Sequence, residues 1–194
     1  VNQNKSMDYL QLATQYLEPK LKGKYIYLDI ILPLLNSLNS DFEITEIGKS
    51  VQGRAIHQVK IGTGATKILM WSQMHGNEST TTKGLFDFFN FLQSDNEIVK
   101  RIKSDYTLLC IPMLNPDGAF LYTRENANQV DLNRDAFNAT QPEMQLLHNV
   151  YNSFNPDYCY NLHDQRTIFG TEGFNLPATV SFLSPAYNEE REYN

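Results

Sequence analysis

The stretch Ile68-Leu69-Met70-Trp71-Ser72-Gln73-Met74-His75-Gly76-Asn77-Glu78-Ser79 decides how this chain is read. From Lys67 to Met74 it is nearly all apolar, the pattern of a central strand covered on both faces. It then turns to Ser, Gly and Asn and leads into Leu85, Phe86, Phe88, Phe89 and Leu92, set at the spacing of an amphipathic helix. A histidine and a glutamate three positions apart at such a junction present a nitrogen and a carboxylate to one cation. Both are good zinc ligands, and zinc sites that do chemistry take three protein ligands and leave a fourth position to water. The rest of the chain must therefore supply a third ligand.

On the amino-terminal side, Phe42 to Gly48 and Ala55 to Ile61 alternate in polarity around a turn at Lys49-Ser50-Val51-Gln52-Gly53-Arg54, which predicts an antiparallel hairpin. Before it, Asp8 to Glu18 reads as a helix stopped by Pro19. Asp29 to Leu38 reads as a second, short or kinked at Pro33. This helical segment, 1–40, carries no chemistry of its own. On the carboxyl side, Asn96 to Ile102 predicts a turn or two of helix and Tyr106 to Met113 a buried strand, ended by a turn at Asn115-Pro116-Asp117-Gly118. Thr140-Gln141-Pro142-Glu143 has the form of a capping box opening a helix through about Tyr151. Asp157 to Leu162 is the next strand, and His163 ends it. Strands alternating with helices define an α/β fold with a mixed, mostly parallel sheet flanked by helices, read as a single domain over 1–194.

The bulk numbers exclude several classes. Hydrophobic residues make up 41% and charged residues 20%, ordinary globular composition. With 22 acidic against 16 basic residues and no Lys/Arg cluster, a nucleic-acid backbone is not an expected partner. No apolar run approaches the ~20 residues of a membrane-spanning helix. Cys110 and Cys159 both lie in strand-like apolar runs and read as two buried thiols, a disulfide between them staying open. The opening residues show no basic-then-apolar leader, so the expected location is the cytoplasm, with a secreted or periplasmic location open if a leader was trimmed.

Of the four histidines, His57 falls within an alternating strand and His148 within a helix beside Leu146 and Leu147; both read as structural. His163 stands at the carboxyl end of a strand, as His75 does, and in open α/β sheets ligands collect outside those ends. His75, Glu78 and His163 are therefore the candidate metal ligands.

His75-Gly76-Asn77-Glu78, Arg124, Asp131-Leu132-Asn133-Arg134 and His163, in that order, resemble the zinc metallocarboxypeptidases of the carboxypeptidase A/B kind. Ser50-Val51-Gln52-Gly53-Arg54 and Asn115-Pro116-Asp117-Gly118 extend the resemblance. It implies one Zn²⁺ per chain held by His75, Glu78 and His163, with Asp131 accepting the other ring proton of the first histidine. It also implies that Arg124 faces the scissile carbonyl oxygen, where a guanidinium stabilises the developing oxyanion. Asn133 and Arg134 would grip the terminal carboxylate of a peptide substrate, Arg134 through its bidentate fork. Read without the resemblance, Arg124 pairs with Glu125 or a neighbour at the surface, and Asp131 pairs locally with Arg134.

Two features depart from the family pattern. His163 is followed by Asp164-Gln165-Arg166 in place of the usual serine, with Asp164 and Arg166 as candidate pocket residues, so subsite preference does not transfer. The family's general base is a glutamate well downstream of the last ligand. Glu172, Glu189, Glu190 and Glu192 stand too close to His163 to fill that role, so the chain reads as truncated before the base and inactive or impaired by itself. The reading is thus a zinc carboxypeptidase acting on peptides with a free C-terminal carboxylate. A non-catalytic zinc- and carboxylate-binding module, and a deacylase of N-acyl amino acids on the same fold, are the alternatives. The preferred terminal residue, peptide against peptidoglycan stem, and the oligomeric state stay open.

Overall fold

A computed structural model describes residues 9–164. Two short helices, α1 (Tyr9–Tyr16) and α2 (Leu28–Leu35), precede the hairpin β1 (Glu43–Lys49) and β2 (Ala55–Ile61). The chain continues through β3 (Thr66–Ser72), α3 (Thr80–Leu92), α4 (Glu97–Asp105) and β4 (Tyr106–Ile111). It then passes α5 (Pro116–Leu121), α6 (Leu132–Asp135) and α7 (Pro142–Phe154) to reach β5 (Tyr158–Leu162). The strands form one mixed sheet in the order β1-β2-β4-β3-β5. β2 is antiparallel to both β1 and β4, while β3 is parallel to β4 and β5. Four of the five strands therefore point one way and only β2 opposes them. Pro33 lies inside α2 and withholds one backbone donor, which keeps that helix to 8 residues.

The period-2 alternation of the strands sorts side chains onto two cores. Val59, Ile61, Leu108 and Cys110 join Leu85, Phe86, Phe89 and Leu92 of α3 and Ile31, Leu34 and Leu35 of α2 on one face. Ile56, Leu69, Leu109 and Ile111 join Leu132 of α6 and Met144, Leu147 and Val150 of α7 on the other. Successive residues of one strand serve opposite cores, which is why β4 is apolar without a break. Gly48 sits where the β1–β2 register shifts, at φ +152°, and a Cβ there would meet Leu146 of α7 at 2.6 Å. A side chain at that bulge would be strained at this φ and would displace the Leu146 side chain.

Several expectations are corrected. Asn115-Pro116-Asp117-Gly118 is the start of helix α5 rather than a plain turn. Asn115 caps it by accepting from Gly118 N, with Pro116 in the first turn. The capping box at Thr140–Glu143 does not form. Asp135 takes the Thr140 and Gln141 N–H groups instead, and Glu143 turns to Val51 and Asn126. Cys110 is buried, and burial pushes its thiol up to about 12, but Cys159 is exposed. The two are unpaired thiols on strands separated by β3. β5 is exposed along Tyr158–Tyr160 because, among the described residues, no strand flanks its outer edge. β3, although paired on both sides, is only half-buried at Ile68, Met70 and Trp71. His148 is structural, bonded to the Ala136 carbonyl, whereas the buried Nδ1 of His57 has no partner.

Phe89 is wholly buried and packs edge-on against Phe42 and Phe86 at the centre of the first core. Phe89→Ala is expected to cost about 3–5 kcal/mol, read as a lowered urea midpoint at unchanged m-value. A loss below about 1 kcal/mol would show that the core is not packed around this ring.

Candidate metal centre

β3 and β5 lie side by side and parallel, with Ser72 opposite Leu162. Both carboxyl ends therefore open at one edge of the sheet, and the loop after β3 meets His163 there. That loop begins with Gln73 in the left-handed region at φ 49°, an uncommon conformation for a residue with a side chain. Its buried amide holds the turn. Gln73 Nε2 donates to the Ile26 and Gly76 carbonyls, and Oε1 accepts from the Thr82 hydroxyl. Gly76 lies against the backbone of α5, where any Cβ would collide with Gly118 and Ala119. Glycine is required at that close approach. Asn115, fully buried, donates from Nδ2 to the Met74 carbonyl, so the start of α5 also braces the residue before His75.

His75, Glu78 and His163 offer ligand atoms that all lie within 4.8 Å of one another. Glu78 sits between the rings, with Oε1 2.9 Å from His75 Nδ1 and Oε2 2.7 Å from His163 Nδ1. The rings themselves stand 4.8 Å apart, centroid to centroid. The second nitrogen of His75, Nε2, is 3.0 Å from Asp131 Oδ1. Two imidazoles and one carboxylate, with one imidazole oriented by an outer carboxylate, are a donor set that fits zinc. Nε2–H donates to Asp131 in that arrangement, and Nδ1 is the atom that would hold the ion. Burial opposes the charge of Glu78, but hydrogen bonds from His163 and His75 and the charges of both rings outweigh it. Its carboxyl is held down to about 2. Asp131 is likewise lowered: burial resists its charge, and the bonds from His75 and Arg124 prevail.

Arg124 comes to the same place. Its Nε donates to Asp131 Oδ2 at 3.0 Å and its Nη1 to Glu78 Oε1 at 3.2 Å. The surface pairing with Glu125 is not its arrangement, and Asp131 does not pair with Arg134. Asp131 instead caps α6, accepting from Asn133 N at 2.9 Å. Asn133 is half-buried and Arg134 exposed on that helix, one turn from Asp131. Gln165 and Arg166, and Glu172, Glu189, Glu190 and Glu192, lie outside the described residues. Sequence reasoning passed over Gln73, Asn115 and Thr82, whose duties are set by backbone carbonyls that no side-chain pattern reveals.

Comparison with known proteins agrees with this geometry. A family described as zinc carboxypeptidase matches residues 31–158, more than half of the chain. The catalytic chain of carboxypeptidase N from Rattus norvegicus is 28% identical over 152 residues, covering 65% of this chain and 33% of that protein. Carboxypeptidase 2 of Trichophyton rubrum is 24% identical over 100 residues, covering 50% and 19%. The crystal structure of a metallo-carboxypeptidase from Burkholderia cenocepacia superposes with a TM-score of 0.66 at 19% identity, over 71% of this chain and 40% of that one. The chain belongs to the zinc carboxypeptidase family. It spans about a third of the length of the curated relative from rat.

The lowered Glu78 carboxyl gives the centre a pH signature. An ordinary carboxyl near 4.5 in the unfolded chain binds its proton before the folded one does, so acid favours unfolding. The stability Glu78 contributes is present above about pH 4.5 and is lost as pH falls towards about 2. In metal-free protein, urea midpoints of wild type should fall more steeply over that window than those of Glu78→Gln. Parallel curves would show that the carboxylate is not held by the two rings.

Proposed function

We propose that the protein is a zinc-dependent carboxypeptidase that hydrolyses the C-terminal residue of peptides, with one zinc per chain. The observation that carries this reading is the convergence of His75, Glu78 and His163 with Arg124 and Asp131, three of them meeting at Glu78 and two at Asp131. Zinc, when bound, lowers the pKa of its water towards ~7 and polarises the scissile carbonyl. The chain's own residues do the rest. His75, Glu78 and His163 supply the ligand atoms, and Asp131 fixes the tautomer of His75. Arg124 spends Nε and Nη1 on the two carboxylates, and Nη2 has no partner among the described residues. That nitrogen is the one offered to the carbonyl oxygen as negative charge develops there.

Asn133 and Arg134 stand two and three positions after Asp131 and would take the substrate's free carboxylate, Arg134 as the charged fork and Asn133 as a neutral donor. A site built around a terminal charge leaves its cation unpaired when an internal peptide binds, which selects for exopeptidase action. Glu78 and Asp131 are both committed to holding other groups. By the resemblance to the zinc carboxypeptidases we assign the general base to a glutamate well downstream of His163, beyond Asn194, and residues 1–194 alone should bind zinc yet turn over poorly.

Elemental analysis of the purified protein should find about one zinc per chain, lost in His75→Ala and in His163→Ala. Asp131→Asn should weaken zinc binding by about 10–100-fold. Zinc retained in both histidine variants would mean that other residues hold it. In the full-length protein, Arg134→Ala should lower kcat/KM for free-carboxylate peptides by about 10–100-fold through KM, with little effect on amidated ones. Equal losses on both substrate types would remove the clamp.

A further inference from the structure

Arg124 and Asp131 stand seven positions apart, and the loop between them is closed from inside by one side chain. We propose that Asn126 is a positioning residue for Arg124, setting the guanidinium against Asp131 by fastening the loop to itself and to α7. This rests on the oxyanion role given to Arg124 above.

Asn126 is 4% exposed and uses both ends of its amide. Its Oδ1 accepts from the backbone N–H of Asn128 at 3.0 Å and of Val130 at 3.1 Å. Its Nδ2 donates to Gln141 Oε1 at 2.9 Å and to Glu143 Oε2 at 3.1 Å. The backbone repeats the closure, with Asn126 N donating to Val130 O and Gln129 N to Asn126 O. Gln129 completes the turn in the left-handed region at φ 60°. Across the mouth so formed, Arg124 Nε meets Asp131 Oδ2 at 3.0 Å.

Two further features make the tether stiff. Glu143 is fully buried in the first turn of α7, and its other oxygen accepts from Val51 N at 3.1 Å, so the anchor is itself held by the β1–β2 turn. Gln141 accepts from Asn128 Nδ2 at 2.9 Å as well as from Asn126. A free arginine side chain carries about 2 kcal/mol of rotamer entropy, and a misplacement of about 1 Å at a reacting group can cost on the order of 10²-fold. A loop that fixes the backbone on the carboxyl side of Arg124, between it and Asp131, reduces the first and opposes the second. Aspartate at position 126 would keep the acceptor for Asn128 and Val130 but turn a carboxylate towards Glu143. Glutamine at 143 would then donate to that aspartate and still accept from Val51, so the paired exchange restores the bond to α7 with donor and acceptor swapped. Gln141 Oε1 is left facing a second acceptor.

The test uses the full-length protein in four forms: wild type, Asn126→Ala, Asn126→Asp, and Asn126→Asp with Glu143→Gln. Hydrogen exchange of the Arg124 Nε–H, followed by NMR in metal-free protein, reads the Arg124–Asp131 contact without turnover. Asn126→Ala and Asn126→Asp should each speed that exchange by at least about tenfold and lower kcat by about 10–100-fold, with KM within about threefold. The double variant should recover at least about threefold of each loss relative to Asn126→Asp, and less than the whole of it, since the bond to Gln141 is not remade. In an Arg124→Ala background, Asn126→Ala should cost less than about threefold more, since the residue acts through Arg124. Unchanged exchange in the folded single variants, no recovery in the double variant, or losses that multiply in the Arg124→Ala background would each overturn the assignment. Should wild type hydrolyse no C-terminal residue, the proposed function fails, and the exchange measurements alone then decide the role of Asn126.

Discussion

The site depends on the carboxylate of Asp131, which serves three groups at once. Oδ1 lies 3.0 Å from His75 Nε2 and accepts from Asn133 N, while Oδ2 accepts from Arg124 Nε. One side chain thus orients a candidate metal ligand, a cation and the first turn of the helix bearing Asn133 and Arg134. Each of these bonds alone is a modest net contribution, on the order of 1–3 kcal/mol when charge-assisted. Their value lies in sharing. Moving Asp131 to suit one partner disturbs the other two, so the three settle together or not at all.

A second carboxylate does comparable work away from the centre. Asp117, fully buried, accepts from Ser50 Oγ, Gln52 N and Arg54 Nη1, the last at 2.6 Å. The segments Ser50–Arg54 and Asn115–Gly118, 63 positions apart at Arg54 and Asp117, are therefore two halves of one contact. A buried ion pair of this kind is weak support for stability as such, because desolvation offsets attraction. It does fix where α5 begins, and α5 is the surface on which Gly76 rests and from which Asn115 reaches the Met74 carbonyl.

Much of this was legible in the sequence for a physical reason. Alternation at Phe42–Ile61, continuous apolar character at Tyr106–Ile111 and helical spacing at Leu85–Leu92 each report on burial, and burial is what a strand or helix face requires. His75 and His163 could be brought together because parallel strands share a carboxyl edge. What stayed hidden depended on partners rather than on pattern. The Thr140–Glu143 stretch has the composition of a capping box, yet Asp135 offered its backbone donors a better acceptor. Cys159 has an apolar setting in sequence and an exposed one in space, because exposure on a strand depends on what lies beyond the edge. Gln73 carries no local signal at all, although its backbone is left-handed and its side-chain amide donates to the Ile26 and Gly76 carbonyls.

The parallel pairing of β3 with β5 also governs the order in which the molecule can assemble. Glu78 and His163 are 85 positions apart, and the last ligand arrives only when the final described strand has docked in register beside β3. Contacts of such long range form late, because loop closure must precede the contacts that reward it. An ion meeting the chain earlier would find a histidine and a glutamate on an unfinished loop, a weak bidentate site. In the proposed zinc form, full affinity would require β5 to have docked beside β3, and tight metal uptake would be a chemical record of that pairing.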